Sequence, residues 1–514
     1  MTIRHAIPAL SEPQLRRLAQ EVAFALRPSD TLALEGDLGA GKTTFARALI
    51  QALSGRDDIE IPSPTFTLVQ SYETARFEVA HFDLYRLTDP DELKELGLDH
   101  ALKRGVAVVE WPERAAGALA AERLTVRLEE SENAEVRDVT LIATGAFAAR
   151  LQRLMDIRAF LNAAGFGGAD WRVGYLQGDA SPRRYARLIQ DNGQRVILMD
   201  SPRQPDGPPV RDGLPYSQIA HLAEDVRPFV AIAYDLKRGG FSVPEILAHD
   251  MARGLLVIED FGDKVFGAEV LKGGDQEKLW RRGTDTLVAL RTSPPSPEMP
   301  LPDGTTYRLP PLDARALQIE SELLVDWYWP ALYGTPCPDQ QRAEFNALWA
   351  PVFERVLKSP KGWLLRDYHS PNLIALDDRK SPRDTGIIDF QDAVAGPAAY
   401  DLVSLLQDAR LDVPANLETK LLDHYIARVK ATEPTFNEAE FRFVYAALGA
   451  QRNTKIAGIF ARLAKRDGKR QYLAHLPRIW GYLARNLAHD ELASLRAWYD
   501  HHLPAASRRR DLKI

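Results

Sequence analysis

Residues Thr31–Thr43, TLALEGDLGAGKT, carry the clearest sign of the fold in the first part of the chain. It begins with an apolar run typical of a short buried strand, Thr31–Glu35, and a glycine-rich turn follows at once. A helical pattern, Thr43–Leu53, comes directly after the turn. The turn matches G-x-x-x-x-G-K-[ST], in which glycines let backbone N–H groups point at phosphate oxygens and the helix N-terminus adds a favourable dipole. The sequence therefore predicts a P-loop that binds the phosphates of a nucleotide.

The side chains of this turn have separate expected tasks. Lys42 is expected to reach the β- and γ-phosphates of ATP, and the Thr43 hydroxyl is expected to bind Mg²⁺. The expected nucleotide-binding residues of the turn are Gly36, Gly39, Ala40, Gly41, Lys42, Thr43 and Thr44. ATP and Mg²⁺ are therefore the predicted cofactors.

Strand-like and helix-like patterns alternate around the P-loop, which favours an α/β sheet. Later apolar runs lie at Phe77–Phe82, Val106–Val109, Leu124–Leu128 and Val139–Ile142. Asp83 and Glu110 each come directly after one of these runs. Acidic residues at strand ends hold Mg²⁺ directly or through water in sites of this kind. A solvated strand end is the alternative for either carboxylate.

Four motifs follow one another in this region. They are GDLGAGKTTF from Gly36, SPTFTLVQSY from Ser63, HFDLYRL from His81 and VVEWPER from Val108. On these motifs, residues 1–145 resemble the TsaE family, the ATPase subunits of bacterial tRNA threonylcarbamoyladenosine biosynthesis. The resemblance implies an ATPase that acts with TsaB- and TsaD-like partner proteins and does not itself transfer the threonylcarbamoyl group.

The resemblance also implies roles for single residues. Thr43 and Glu110 would serve the metal, and Asp83 would be needed for hydrolysis. Thr65 would lie in a switch-type loop that senses the γ-phosphate, which adds it to the expected nucleotide-binding residues. Trp111 is either a core aromatic residue or a minor candidate for contact with the nucleotide or a partner.

A second set of motifs lies far along the chain. Residues Leu365–Asn372, LRDYHSPN, place an Asp and an Asn five positions apart, as in the kinase loop H-R-D-x-x-x-x-N. An apolar run then leads into Asp389–Gln391, DFQ, at the position of D-F-G. In phosphoryl transfer one Asp accepts the proton of the attacking hydroxyl, while the Asn and a second Asp hold Mg²⁺. We therefore expect Asp367 to be the catalytic base and Asn372 and Asp389 to be metal ligands.

Further segments fit a kinase-like nucleotide site. Gly178–Ser181, GDAS, is a turn between strand-like runs that is expected to fold over ATP phosphates, and Arg183 and Arg184 follow it closely. Leu256–Gly262, LVIEDFG, is expected to link two lobes, where backbone groups around Asp260 would bind adenine. Arg183, Arg184 and Asp260 are therefore expected nucleotide-binding residues. Farther on, Asp401 is interpreted as the cap of a helix that begins there.

Four longer strings carry a second resemblance: GDASPRRYARL, LRDYHSPNL, IIDFQDAVAGPAAYDL and QRNTKIAGIFARL. Most of residues 150–485 resemble the aminoglycoside phosphotransferase superfamily and, within it, the anomeric kinases of N-acetylmuramate and N-acetylglucosamine. The resemblance implies ATP-dependent phosphorylation of the anomeric hydroxyl of an amino sugar, in the recycling of cell-wall sugar.

Two positions depart from the kinase pattern. Leu365 stands in place of the His of H-R-D, and Met199 stands where kinases carry the phosphate-binding Lys. Arg183 or Arg184 is expected to supply the missing positive charge, because a guanidinium binds phosphate oxygens through two hydrogen bonds. The alternatives to a sugar kinase are a nucleotide-binding pseudokinase or docking module, and a kinase of an aminoglycoside, choline or homoserine.

The length of 514 residues exceeds what a single hydrophobic core usually supports. We predict an α/β P-loop NTPase domain, residues 1–148, followed by a two-lobed α+β protein-kinase-like domain of the aminoglycoside phosphotransferase type, residues 149–514. The net charge of −6 gives no sign of strong direct binding to nucleic acid. A single cysteine, Cys337, fits a reducing compartment, and the sequence has no long apolar run, so we expect a cytoplasmic protein without membrane contact.

Overall fold

The computed structural model describes residues 1–56, 58–87, 89, 92–115, 117–176 and 183–514. The predicted turn Gly178–Ser181 lies outside the described residues. The chain forms two compact units, one of Met1–Pro202 with Ile246–Asp260 and the other of Arg203–Glu245 with Phe261–Ile514. The first unit holds the P-loop domain together with the sheet that follows it, and the domain boundary between residues 148 and 149 stays a prediction.

The elements of both units have the following bounds. The strands are β1 (Thr2–Ser11), β2 (Thr31–Glu35), β3 (Val69–Tyr72), β4 (Glu78–Asp83), β5 (Gly105–Glu110), β6 (Leu124–Glu130), β7 (Val136–Thr144), β8 (Trp171–Leu176), β9 (Arg184–Gln190), β10 (Arg195–Asp200), β11 (Pro209–Arg211), β12 (Leu214–Pro215), β13 (Ile246–Asp250), β14 (Leu255–Glu259), β15 (Met299–Pro300), β16 (Thr306–Tyr307), β17 (Lys361–Leu364), β18 (Leu373–Ala375), β19 (Thr385–Ile387) and β20 (Val394–Pro397). The α-helices are α1 (Glu12–Ala25), α2 (Lys42–Ser54), α3 (Glu92–Glu95), α4 (Leu98–Arg104), α5 (Phe147–Ala163), α6 (Tyr216–Ile219), α7 (Arg227–Arg238), α8 (Phe266–Leu271), α9 (Gln276–Arg291), α10 (Ala314–Leu323), α11 (Trp329–Tyr333), α12 (Asp339–Val356), α13 (Ala399–Leu406), α14 (Ala415–Thr432), α15 (Glu438–Asp467), α16 (Leu476–Leu487), α17 (Ala493–His502) and α18 (Ala505–Arg508).

The P-loop domain is built on a seven-stranded sheet with the order β1-β7-β6-β2-β5-β4-β3. Strands β6, β2, β5 and β4 run parallel, and the outer strands pair antiparallel. Strands β2 and β5 are apolar over most of their length and half of β4 is apolar, and all three strands are almost wholly buried, as expected of parallel strands covered on both faces. Because parallel strands end at the same edge of a sheet, this topology brings the P-loop, Asp83 and Glu110 to one edge.

A second sheet in the first unit has five antiparallel strands in the order β13-β14-β10-β9-β8. Its inward side chains, among them Val173, Leu188 and Leu198, form a hydrophobic core with helix α5. Helix α1 adds the ring of Phe24 to the same core. The two sheets and the helical second unit agree with the predicted fold classes.

The second unit is mainly helical, from α6 to α18. Its longest helix, α15, has 30 residues and is buried over much of its length. Two short antiparallel strand pairs, β17 with β20 and β18 with β19, flank the segment Leu365–Asn372. Within the described ranges, no helix combines the length and the apolar character that crossing a membrane requires.

Candidate active sites

The lysine of the P-loop is held by its own loop. Lys42 Nζ donates to the carbonyl oxygens of Gly36 and Asp37 at 2.6 and 2.8 Å. It also lies 3.6 Å from the centre of the Trp111 ring. Burial lowers the pKa of Lys42 below its usual value, against the opposing charge of Glu110. A phosphate bound in the loop would replace the two carbonyl oxygens as partner of this ammonium group.

The two predicted metal residues of the P-loop domain lie in contact. Thr43 Oγ1 donates to Glu110 Oε2 at 3.0 Å, and Glu110 is 2% exposed. The other carboxylate oxygen, Oε1, lies 2.9 Å from Nε2 of the buried His81. A hydroxyl and a carboxylate are the hard oxygen donors that Mg²⁺ prefers, and Mg²⁺ in nucleotide sites takes only one or two carboxylates beside phosphate oxygens and water. Thr43 and Glu110 therefore fit the ion.

Asp83 lies opposite Glu110, at the ends of β4 and β5. Its Oδ2 accepts hydrogen bonds from Ser63 Oγ at 2.9 Å and from Thr65 Oγ1 at 2.6 Å. Its Oδ1 accepts from the backbone N–H of Tyr85 at 3.0 Å. The predicted residues Asp83 and Thr65 are therefore in direct contact, and Asp83 holds the loop that carries Thr65.

The five-stranded sheet has a buried carboxylate beside the position of the expected kinase lysine. Met199 occupies that position and is 1% exposed, and the next residue, Asp200, is fully buried. Asp200 Oδ1 accepts from Arg153 of α5 at 2.5 and 3.0 Å, and Asp200 also forms an ion pair with Arg184. Arg184 thus has a carboxylate partner in this unit. Arg183 lies directly before β9, and nucleotide contact by either arginine stays a prediction.

Asp260 follows β14, and its side chain is 3% exposed. Its carboxylate lies 2.7 Å from Arg187 of β9 and 3.7 Å from Arg195 of β10. The side chain therefore connects three strands of the sheet. The adenine contact expected of the backbone in this segment stays a prediction.

In the second unit, the three predicted kinase residues form one cluster. Asn372 Nδ2 donates to the backbone oxygen of Asp367 at 3.0 Å and lies 3.4 Å from Asp389 Oδ2. Gln391 Nε2 donates to Asp389 Oδ1 at 3.0 Å. Asp389 has a φ of 59°, in the left-handed region that residues with side chains seldom adopt outside functional sites and turns. The amide of Asn372 and the carboxylate of Asp389 supply oxygen donors that fit Mg²⁺ next to the expected base.

The backbone of the catalytic loop is held by Asp401. Its carboxylate accepts the backbone N–H groups of Leu365 at 2.6 Å and Arg366 at 2.9 Å. The expectation of a helix cap is wrong, because Asp401 lies inside α13 and its side chain binds the loop instead of the helix end. Burial raises the pKa of Asp401 to about 7, although the two backbone hydrogen bonds act in the other direction.

A buried group of charges holds Arg366, which has a φ of 71°. The Arg366 guanidinium pairs with Glu320 and donates to the Ala220 carbonyl oxygen at 2.5 Å. Lys455 Nζ donates to Glu320 at 2.8 Å. Burial acts to raise the pKa of Glu320, but the charges of Lys455 and Arg366 outweigh it and hold the value at about 2. Glu320 is therefore a carboxylate at neutral pH and fixes Arg366 beside Asp367.

Among the side chains that hold predicted residues, His81, Gln391 and Asp200 were not predicted. His81 and Gln391 each stand two positions from a predicted residue, Asp83 and Asp389 respectively, and this proximity was the only available signal. Asp200 is a charge at the end of an apolar strand, which is itself a sign that a buried partner exists.

Two family models match successive parts of the chain. A family model described as threonylcarbamoyl adenosine biosynthesis protein TsaE matches residues 10–139. A family model described as phosphotransferase enzyme family (APH) matches residues 173–444, more than half of the chain.

Named relatives agree with both family models. An N-acetylmuramate/N-acetylglucosamine kinase of Caulobacter vibrioides is 39% identical over 360 residues, which cover 68% of this chain and 97% of the relative. A kinase of the same name from Pseudomonas putida is 33% identical over 320 residues, which cover 62% of this chain and 84% of the relative. The tRNA threonylcarbamoyladenosine biosynthesis protein TsaE of Rickettsia conorii is 42% identical over 123 residues, which cover 24% of this chain and 70% of that protein. The chain therefore belongs to two families, the TsaE proteins through its first part and the N-acetylmuramate/N-acetylglucosamine kinases of the phosphotransferase family through its second part.

Proposed function

We propose that the chain is a bifunctional enzyme. Its P-loop domain hydrolyses ATP in support of the threonylcarbamoyladenosine modification of tRNA. Its second domain uses ATP to phosphorylate the anomeric hydroxyl of N-acetylmuramate or N-acetylglucosamine. The proposal places the chain in the cytoplasm, where tRNA and ATP occur together.

The single observation that supports the kinase activity most strongly is the cluster of Asp367, Asn372 and Asp389. Asn372 contacts the other two residues through one amide nitrogen, at 3.0 and 3.4 Å. A binding module without catalysis gains nothing physical from keeping a base and two metal ligands within one hydrogen-bonded cluster. The cluster therefore favours an active enzyme over the docking module.

The chemistry follows from these side chains. Asp367 accepts the proton of the anomeric hydroxyl while the oxygen of that hydroxyl attacks the γ-phosphorus, and ADP leaves. Asn372 and Asp389 would hold Mg²⁺, and Gln391 keeps the Asp389 carboxylate in place. When bound, Mg²⁺ neutralises the charge that develops on the phosphate oxygens.

The P-loop domain breaks the same bond of ATP, between the γ-phosphorus and the oxygen that leaves with ADP, but with water as the acceptor. Lys42 and the backbone of the loop would bind the phosphates, and Thr43 and Glu110 would hold Mg²⁺. We propose that Asp83 and Thr65 respond to the γ-phosphate and orient the attacking water, and the hydrogen bond of 2.6 Å between them supports a joint role. We propose TsaB- and TsaD-like proteins as partners of this domain, because TsaE relatives carry the name of the same biosynthesis.

Another small acceptor is the second candidate for the kinase site. Aminoglycosides, choline and homoserine are candidates because the matching family model is described only as a phosphotransferase family. The identity of 39% to a named amino-sugar kinase favours the amino sugar.

A phosphate-transfer assay tests the proposal. The full chain is incubated with Mg-ATP and each of N-acetylmuramate, N-acetylglucosamine, an aminoglycoside, choline and homoserine, and products are identified by ³¹P NMR. We expect an anomeric sugar phosphate. Asp367→Asn is expected to lower its rate by about 10²- to 10⁴-fold while ATP binding is kept. Transfer to another acceptor would replace the sugar, and no transfer at all would favour the docking module.

The matched variant for the other site is Lys42→Ala. It is expected to abolish ATP hydrolysis by the P-loop domain, measured without a sugar acceptor, because the loop loses its phosphate-binding cation. Sugar phosphorylation is expected to continue in this variant. If both activities disappear together, the chain does not have two independent sites.

A further inference from the structure

Helix α1 of the P-loop domain contributes to the core of the five-stranded kinase sheet. Phe24, at the end of α1, is 4% exposed and packs in the same core as Trp171 and Val173 of β8. Apart from Phe24, the buried residues of this core come from the sheet itself and from α5. The kinase sheet is therefore covered in part by a ring that the P-loop domain supplies.

Two polar side chains of α1 bind the backbone of the same sheet. Arg17 Nη1 donates to the carbonyl oxygen of Trp171 at 2.5 Å, and the amide oxygen of Gln20 accepts the backbone N–H of Val173 at 2.9 Å. Strand β8 is an edge strand, whose outer backbone groups need partners. Helix α1 supplies partners for two of these groups.

Arg76 makes a second connection between the P-loop domain and β8. It lies before β4, and its guanidinium donates to the carbonyl oxygens of Ala23 at 2.8 Å and Leu26 at 2.7 Å, at the end of α1. The same guanidinium lies 4.2 Å from the centre of the Tyr175 ring in β8. A cation at the end of a helix satisfies its last carbonyl groups and stacks well on an aromatic face.

These contacts meet where β8 ends and β9 begins. The Phe24 ring lies 5.9 Å from the Tyr175 ring and 4.8 Å from the guanidinium of Arg184. In protein kinases a glycine-rich loop covers the nucleotide phosphates, and the predicted counterpart of that loop here lies between β8 and β9 in the sequence. Arg184 is itself a predicted nucleotide-binding residue. The position of this end of the five-stranded sheet therefore depends on two residues of the P-loop domain, Phe24 and Arg76.

We propose that Phe24 and Arg76 are positioning residues for the kinase reaction, which hold the paired ends of β8 and β9 where ATP binding requires them. The proposal rests on the kinase activity proposed above. The P-loop domain is then a structural part of the ATP site of the kinase, and the two domains are joined by more than the chain itself.

The test is the steady-state kinetics of sugar phosphorylation by the full chain carrying Phe24→Leu or Arg76→Gln. We expect the KM for ATP to rise about three- to tenfold, while kcat and the KM for the sugar change less than about twofold. If β8 and β9 are displaced, ATP binds more weakly, whereas the acceptor and the base Asp367 are held by other elements.

The matched control is Phe160→Leu. Phe160 lies in the same hydrophobic core as Phe24, but it belongs to α5. This variant is expected to lower the melting temperature about as much as Phe24→Leu and to leave the KM for ATP unchanged. An ATP KM that rises equally in both Phe variants, or in none of the three, would overturn the proposal.

A second readout separates this inference from the proposed activity. If the wild-type chain transfers phosphate to no acceptor, the kinase proposal fails, and ATP binding is then measured by calorimetry in a Lys42→Ala background that lacks the P-loop site. Phe24→Leu and Arg76→Gln are expected to weaken ATP binding there by about three- to tenfold. Equal affinities in all chains would contradict the positioning role.

Discussion

His81 Nε2 and Glu110 Oε1 lie 2.9 Å apart, and both side chains are almost completely buried. The contact fixes one carboxylate oxygen and leaves the other turned to Thr43, 3.0 Å away. We expect His81→Leu to raise the Mg²⁺ concentration that the P-loop ATPase needs for its half-maximal rate by about 10- to 100-fold, because residues that orient a metal ligand have effects of this size. His81→Gln, whose amide nitrogen reaches the place of Nε2, is expected to keep most of the wild-type affinity for Mg²⁺. The measurement is the ATPase rate as a function of Mg²⁺ concentration.

Sugar phosphorylation by the same His81 variants is the control, because the kinase cluster contains none of these residues. It is expected to keep the wild-type Mg²⁺ dependence. An ATPase whose Mg²⁺ requirement is unchanged in His81→Leu would show that His81 only fills space beside Glu110.

Arg184 has two assigned tasks that a mutation can separate. The structure pairs it with the buried Asp200, and the sequence predicts that it binds ATP phosphates. We expect Arg184→Ala to lower the free energy of unfolding by about 1–3 kcal/mol, because Asp200 loses one of the two ion-pair partners that it has among the described residues and keeps Arg153. The double variant Arg184→Ala with Asp200→Asn is expected to lose less than the sum of the two single variants, as measured by denaturant unfolding.

The ATP KM of Arg184→Ala decides between these tasks. A rise in KM without a loss of stability would assign Arg184 to the nucleotide and contradict the structural role. A loss of stability with an unchanged KM would leave Arg183 as the predicted replacement for the missing lysine.

The sequence was most informative where chemistry depends on neighbouring residues. Asp83 and Glu110 each follow an apolar run, so both were expected at the end of a strand, and they lie opposite each other. Asp367 and Asn372 share one short loop, and the strand before Asp389 delivers it to the same place. At these positions the order of residues along a strand or a loop is enough to predict where the side chain lies.

Contacts between distant parts of the chain could not be predicted. Phe24 is one more apolar position in an amphipathic helix, and nothing in that periodicity shows that it packs against a different sheet. Strand β1 was missed as well, because most of its side chains are exposed or half-buried and its pairing with β7 is what makes it a strand. The same limit applies to Asp200, whose burial depends on Arg153 and Arg184.

Gly458 allows α15 to approach the end of α10. A Cβ atom added there would lie 2.2 Å from the backbone carbon of Leu323 and 2.3 Å from its oxygen. Backbone atoms cannot move aside without shifting a helix, so Gly458→Ala is expected to lower the free energy of unfolding by about 1–3 kcal/mol. Gly481→Ala, in α16, is the control, because a Cβ atom added there would meet no described atom within 4 Å outside its own helix backbone and chain neighbours. It is expected to stabilise the chain by about 0.5–1 kcal/mol. Thermal unfolding measures both, and equal shifts would refute the close approach.

Asp401 makes the stability of the catalytic loop depend on pH. Burial raises its pKa from 3.8 to about 7, so the folded chain binds this proton more tightly than the unfolded chain does between these values. The stability that Asp401 contributes is therefore complete below about pH 4 and is lost as the pH rises through 7. Asp401→Asn removes the titrating group. It also lowers the free energy of unfolding at every pH, because its amide nitrogen cannot accept a hydrogen bond from one of the two backbone N–H groups.

The advantage of the wild-type chain over Asp401→Asn is therefore expected to shrink by on the order of 1–3 kcal/mol between pH 5 and pH 8, as measured by denaturant unfolding. The exposed Asp378→Asn is the control, because it makes the same Asp-to-Asn replacement at the surface without altering a buried carboxyl group. An advantage that stays constant across this range would mean that Asp401 remains ionised in the folded loop. The two backbone hydrogen bonds would then outweigh its burial.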